Sequence, residues 1–316
     1  MTKIHILGPN PETFLVKLAP LFPEVIFTVG SYRDDFGKNF KLYDVLFTFS
    51  DFLSPDSFKV SNRLRWVQSL GTGLDGMIDS PYLDDTVIFT SMRGIHGPQV
   101  SELVFMHMLS LSRNYSKAMV NQRDHLWERW PGKSLQKKTV GLLGVGVISQ
   151  ALAKRCKAFD MNVVGITNTR RELENFDKIV LRKELISIVQ ELDYLVVLVP
   201  LDGETLGLVD ERVFSGMKRT AYLINVARGG VVDENALMTA INNGEIAGAG
   251  LDVFEQEPLP VDSPLWSQPN LNLTPHLGGM VDVYVEQAMP ILIHNLKAFL
   301  SGQYDTMLNL VEHQQY

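Results

Sequence analysis

Apolar and polar positions alternate in blocks along this 316-residue chain. Over the first hundred residues the apolar blocks are short: TKIHILG, EVIFTVG, DVLFTF, LRWVQSLG and TVIFTS. They are rich in β-branched and aromatic side chains and bounded by turn residues, so they read as strands. Helical or turn-rich intervals separate them, which predicts a parallel sheet. A helix is expected to start near Pro98, a residue suited to a first turn, and to carry VSELVFMHMLSLSRNY. WERWPGKSLQKKT then reads as an exposed, irregular arm.

From Val140 the pattern becomes regular: TVGLLGVG, NVVGIT, YLVVLVP, AYLINVA, AGAGLDVF and NLNLTP. Near-continuous apolar character suits strands covered on both faces. Six such strand units match a doubly wound, dinucleotide-binding sheet. VYVEQAMPILIHNLKAFLSG follows as a closing amphipathic helix, expected to be interrupted at Pro290 and to return to the first sheet. The expected fold is therefore α/β, with two Rossmann-like or flavodoxin-like domains and a cleft between them. Residues 1–97 with 284–316 are assigned to a discontinuous substrate domain, and residues 98–283 to a cofactor domain.

Composition adds limits. Hydrophobic content of 45% and charged content of 21% are ordinary for a globular protein. A formal charge of -7 argues against non-specific nucleic-acid binding. The single cysteine, Cys156, allows no internal disulfide and fits a reducing compartment. No signal-peptide-like or membrane-spanning run stands out, so a cytoplasmic protein without a membrane or nucleic-acid partner is expected.

Gly144, Val145, Gly146, Val147, Ile148 and Ser149 follow a strand and open a helix. The first glycine permits a tight turn, and the second lets backbone approach a pyrophosphate at the helix N-terminus. Ser149 stands where a third glycine is usual, and its small side chain is expected to be tolerated with slight adjustment. Ligands of open α/β sheets bind beyond the carboxyl ends of the strands. The residues there are Pro200, Arg228, Asp252 and His276. Singly, each has a plain alternative as a solvated turn or capping residue; together they form a chemical set. Arg228 can grip a keto acid's carboxylate in two-pronged fashion. His276 can donate a proton to a developing alkoxide. A carboxylate beside the imidazole would fix its tautomer and favour its protonated form, a role that Glu257 could fill. No cysteine or histidine cluster has metal-ligand spacing, so no metal is expected.

These residues, with VPLDGETLGLV, INVARGGVVDENAL, GAGLDVFEQEPLP and TPHLGG, resemble the D-isomer-specific 2-hydroxyacid dehydrogenase family over nearly the whole chain. The resemblance implies Arg228 as substrate anchor, His276 as acid/base and Glu257 as its partner. It also implies cofactor contacts at Gly144, Gly146, Val147, Ile148, Asn168, Arg170, Arg171, Pro200, Val226, Ala227, Asp252, His276 and Gly278, with Asp252 toward the nicotinamide carboxamide. Substrate contacts would come from Leu70, Gly71, Thr72 and Gly73, joined by Arg228 and His276; such a glycine-rich turn can bind an anion through backbone N–H groups. His96 is read as a hinge-loop residue, and the arm around Trp127 and Trp130 resembles the family's dimer contact, implying a homodimer. Gly278, Asp202 and Gly203 vary from the usual pattern without touching the acid/base set. The length resembles that of glyoxylate and hydroxypyruvate reductases, whereas phosphoglycerate-specific members often carry a further C-terminal domain. A small 2-keto acid substrate is implied; an NAD-dependent member with another substrate, or a corepressor-like binding protein of the same fold, is the alternative. The stretch VVGITNTRRE decides the expected nucleotide. An NAD site places an acid after the second strand, to meet the ribose hydroxyls. Here that strand ends in Thr167, Asn168 and Thr169, followed by Arg170 and Arg171. Guanidinium groups suit a 2′-phosphate, so NADP(H) is expected over NAD(H).

Overall fold

The computed structural model describes the chain except residues 32–41, 51–52, 54, 60–62, 79, 170 and 312–316. It divides into two compact units, Met1–Ile95 with Val281–Tyr316, and His96–Met280.

In the first unit the apolar runs form β1 (Lys3–Leu7), β2 (Ile26–Gly30), β3 (Val45–Thr48), β4 (Trp66–Ser69) and β5 (Ile88–Thr90). They are parallel in the order β5-β4-β3-β1-β2, the flavodoxin-like arrangement. The two-residue strand Leu310–Val311 adds antiparallel to β5, an edge that no apolar run had announced. The closing helix, Tyr284–Leu300, packs Tyr284, Ala288, Met289, Leu292, Leu296 and Phe299 against Ile4, Ile6, Phe14 and Trp66. The expected interruption at Pro290 does not occur: the helix runs through it. Pro290 lies on the exposed face, and the apolar stripe packs both before and after it, holding the two halves in line.

The second unit contains β6 (Thr139–Leu143), β7 (Asn162–Thr167), β8 (Lys178–Leu181), β9 (Tyr194–Val197), β10 (Tyr222–Asn225), β11 (Gly248–Leu251) and β12 (Leu271–Leu273). All are parallel, in the order β12-β11-β10-β9-β6-β7-β8. This is the doubly wound dinucleotide-binding order with one further strand. Among the described residues seven strands thus replace the six expected. The missed one, β8, is a four-residue edge strand, only partly buried and flanked by charges, so its apolar signal is weak. Helices cover both faces of the sheet and enclose two apolar cores, one built around Leu195, Val197 and Phe214, the other around Leu142, Leu152 and Val196. The helix Gly97–Arg113 has Pro98 in its first turn and ends at Asn114 in a left-handed cap (φ 52°). Because every strand of this sheet runs the same way, all seven carboxyl ends lie along one edge.

Candidate active site

At the end of β6, Gly144 takes a φ of +102°, and a Cβ there would stand 2.8 Å from the Leu198 carbonyl carbon. Only glycine makes this turn. Gly146 precedes the helix Val147–Ala158, and a Cβ on it would enter open space. Ser149 does more than fit. Its buried hydroxyl accepts from the Gly146 N–H (2.7 Å) and donates to the Gly146 carbonyl (3.0 Å), tying the loop to the first helical turn. Val147 is exposed and Ile148 half-buried beside it. After β7, Asn168 and Thr169 are exposed, and Arg171 reaches back to donate to the Val145 carbonyl in the glycine loop. Arg170 lies outside the described residues. Pro200 is exposed after β9, its carbonyl accepting from Thr205 (2.6 Å).

The loop after β10 is shaped by its own backbone. Asn225 accepts from the Ala227 N–H (3.1 Å) and donates to the Arg228 carbonyl (2.9 Å). Ala227 is buried and Val226 half-buried. At Gly229 the chain is pressed against the next loop: a Cβ would sit 1.8 Å from the Phe254 carbonyl carbon. This contact sets Arg228 beside the segment that carries Glu257. One Arg228 nitrogen donates to the Ala227 carbonyl (2.7 Å), and the side chain is half-buried.

Glu257 Oε1 accepts from the Phe254 N–H (2.9 Å), and Oε2 lies 2.7 Å from His276 Nδ1. Burial alone would push the Glu257 carboxyl up. The hydrogen bond and charge of His276, the Phe254 N–H and the positive charge of Arg228 outweigh it and hold the group below its ordinary value. The carboxylate is therefore ionised near neutrality and can orient the ring through Nδ1.

His276 sits at φ +54°, an uncommon conformation for a side chain of its size. What holds it there is Asp252. The Asp252 carbonyl accepts from the His276 N–H (2.8 Å). Its carboxylate accepts from Thr274 Oγ1 (2.6 Å), Leu277 N–H (2.8 Å) and Gly278 N–H (2.8 Å). At 1% exposure, Asp252 lies beneath the turn and clamps it. Burial raises its pKa above the ordinary value, against the three hydrogen bonds and the His276 charge. Sequence reasoning missed Thr274, which completes this clamp, and His107, whose Nε2 lies 3.1 Å from Thr274 Oγ1; the only cue was a histidine at an apolar helical position.

In the first unit the turn at 70–73 is tightly held. Leu70 is fully buried, its N–H bonded to the Thr48 carbonyl (2.6 Å) and its carbonyl accepting from the Tyr284 hydroxyl. Ser69 Oγ accepts from the Gly71 N–H (3.1 Å) and donates to the Gly73 carbonyl (2.8 Å). Of the four backbone donors expected at Leu70, Gly71, Thr72 and Gly73, those of Leu70 and Gly71 are thus engaged inside the unit. Among the described residues no three His, Cys, Asp or Glu side chains cluster so as to hold a metal ion, and no helix is long and apolar enough to cross a membrane.

Residues 105–278 match the family described as D-isomer specific 2-hydroxyacid dehydrogenase, NAD binding domain. A glyoxylate reductase from Pyrococcus horikoshii is 34% identical over 276 residues, 84% of this chain and 82% of that one. The chain belongs to the D-isomer-specific 2-hydroxyacid dehydrogenase family. It is thereby an oxidoreductase of a family that uses nicotinamide dinucleotides. A D-isomer-specific 2-hydroxyacid dehydrogenase family protein from Aeromonas salmonicida has the same fold, with a TM-score of 0.89 at 31% identity and 99% of both chains covered. An NADPH-dependent glyoxylate/hydroxypyruvate reductase from Sinorhizobium meliloti, in complex with NADP and sulfate, superposes with a TM-score of 0.84 at 26% identity over 99% of both chains.

The residues of this dehydrogenase fit a dinucleotide. The space beside Gly146 is the room a pyrophosphate needs at a helix N-terminus, and it would be filled by any side chain there. Gly144, Val147 and Ile148 frame that position, and Arg171 stands at its flank.

Proposed function

We propose that this dehydrogenase reduces a small 2-keto acid of the glyoxylate or hydroxypyruvate kind to the D-2-hydroxy acid, with NADPH preferred over NADH. The observation that carries the reading is the Glu257–His276 pair with Arg228 beside it. When bound, the nicotinamide supplies a hydride to the keto carbon. Arg228 binds the substrate carboxylate through its guanidinium fork and adds positive charge near the carbonyl. His276 Nε2 gives its proton to the carbonyl oxygen as charge develops there. Glu257 holds the ring at Nδ1 and stabilises its positive form before transfer. Asp252 keeps the turn in register, acting on the backbone and not on the reactants. In balance, the keto acid takes one hydride and one proton and leaves as the hydroxy acid, and the nucleotide leaves oxidised.

Asn168, Arg170 and Arg171 are assigned to the adenosine end, the arginines to the 2′-phosphate. Arg171 spends one donor on the Val145 carbonyl, and a guanidinium has five. Pro200, Val226, Ala227 and Gly278 are assigned to the nucleotide as lining. The 70–73 turn is assigned to the substrate as well, as a backbone anion contact. A homodimer is proposed from the arm: Trp127 is 94% exposed, and Leu126 and Trp130 line the same groove, of about 470 Å³. A single-chain mass by sedimentation would rule that out. The catalytic reading is tested by His276→Ala. Reduction should fall by roughly a thousandfold, within the range for loss of a general acid, while NADPH binding followed by fluorescence stays. Retained turnover would remove His276 from the role.

A further inference from the structure

The helix Gly97–Arg113 buries one histidine, His107, completely. Its Nε2 lies 3.1 Å from Thr274 Oγ1. Thr274 has one hydroxyl proton, and the 2.6 Å contact to Asp252 Oδ1 takes it. The oxygen therefore accepts from His107, which fixes His107 as the neutral Nε2–H tautomer. Burial agrees, pushing its pKa down to about 4. Nδ1 then faces no hydrogen-bond partner among the described residues.

This arrangement carries two costs. A buried imidazole with one unmatched nitrogen is less stable than a leucine of similar volume would be. Room for the ring also requires Gly250 in the middle of β11, where a Cβ would stand 2.7 Å from the His107 ring. A glycine inside a strand weakens it. Neither cost buys packing. What His107 does supply is a fixed N–H at the start of a chain of bonds that ends on the acid/base turn: His107 to Thr274, Thr274 to Asp252, and Asp252 to the N–H groups of His276, Leu277 and Gly278.

We propose that His107 is a positioning residue that acts through Thr274 and Asp252 to hold the turn carrying His276. The inference rests on His276 being the acid/base group. Without the Nε2–H, the Thr274 hydroxyl is free to rotate away from Asp252, and the turn loses one of the supports for its left-handed residue. A displacement of this kind, outside the reacting atoms, is expected to lower kcat by roughly ten- to a hundredfold.

The test compares wild type, His107→Leu, His107→Gln and His276→Ala. Glutamine can present an N–H near the position of Nε2; leucine fills the space only. His107→Leu should melt no lower than wild type, keep its KM for NADPH, lose kcat by that factor and shift the pH profile of keto-acid reduction. His107→Gln should recover most of the loss. Histidine titration by NMR supplies a readout independent of turnover: the His276 midpoint should move in His107→Leu and return in His107→Gln. Unchanged kcat and an unchanged His276 midpoint in His107→Leu would overturn the proposal, as would equal impairment of the leucine and glutamine variants. If His276→Ala remains active, the acid/base reading itself fails; if His276→Ala is dead and His107→Leu is normal, only the role of His107 fails.

Discussion

Glu257 Oε2 lies 2.7 Å from His276 Nδ1, and the same carboxylate feels the charge of Arg228. Its pKa is held below the ordinary glutamate value, so the negative partner of His276 persists as pH falls through that ordinary range and is lost only below it. Glu257→Gln removes the charge at every pH and keeps the shape. Keto-acid reduction should drop, and its pH dependence should move to lower pH, because a neutral amide favours the protonated ring less. A pH–rate profile that superimposes on wild type would contradict the pairing.

Arg228→Lys keeps one positive charge and loses the planar fork. Losing one charge-assisted hydrogen bond costs about 1.5–3 kcal/mol, or roughly ten- to a hundredfold in kcat/KM for the keto acid. The loss should appear with glyoxylate and with hydroxypyruvate and leave NADPH binding unchanged. Kinetics near wild type for both acids would show that the anchor is elsewhere.

Asp252→Asn separates stability from activity. The amide must present an N–H₂ where Gly278 N–H, Leu277 N–H or the Thr274 hydroxyl now donates, so the turn shifts and kcat should fall by roughly a hundredfold. The folded-state pKa of Asp252 is raised. Its contribution is therefore most favourable below the unfolded carboxyl pKa and is lost as pH rises through the folded one. The melting temperature of wild type relative to the variant should decline over that window. A difference constant with pH would mean that Asp252 ionises as it does in the unfolded chain.

Gly229→Ala tests how the Arg228 loop is held. The added Cβ would meet Phe254 backbone at 1.8 Å, and backbone cannot yield as a flexible side chain does. Destabilisation of about 3 kcal/mol or more is expected, at the upper end for overpacking. Thermal melting within a degree of wild type would show that the two loops are not pressed together.

The long, wholly buried strands were legible because burial on both faces leaves an uninterrupted apolar run; β6 and β9 are examples. The edge strand β8 was not, since half of it faces solvent. Pro290 misled because a proline's local effect is visible in sequence and the packing that overrides it is not. Arg228 and His276 were legible as residues just past strands, and the pairing of Glu257 with His276, read from their chemistry and the resemblance, is seen as the 2.7 Å contact. The position of Asp252 was readable, but not its direction: whether the residue after a strand points into the crevice or under the next turn depends on partners 22 to 26 residues away. His107 was hidden for the opposite reason. An isolated histidine on an apolar helix face looks like core, and its meaning lies in Gly250 and Thr274, on two other strands' ends and interiors.

The central claim is a keto-acid reductase that selects NADPH, and one steady-state panel tests it most directly: glyoxylate, hydroxypyruvate and pyruvate, each with NADPH and with NADH, for wild type and for a variant with Arg170 and Arg171 both replaced by alanine. Wild type should reduce glyoxylate or hydroxypyruvate with kcat/KM for NADPH roughly tenfold or more above that for NADH, as expected for at least one charge-assisted bond to the 2′-phosphate, and the variant should lose the preference. A wild type that uses NADH at least as well, or that turns over none of the three acids, would contradict the account.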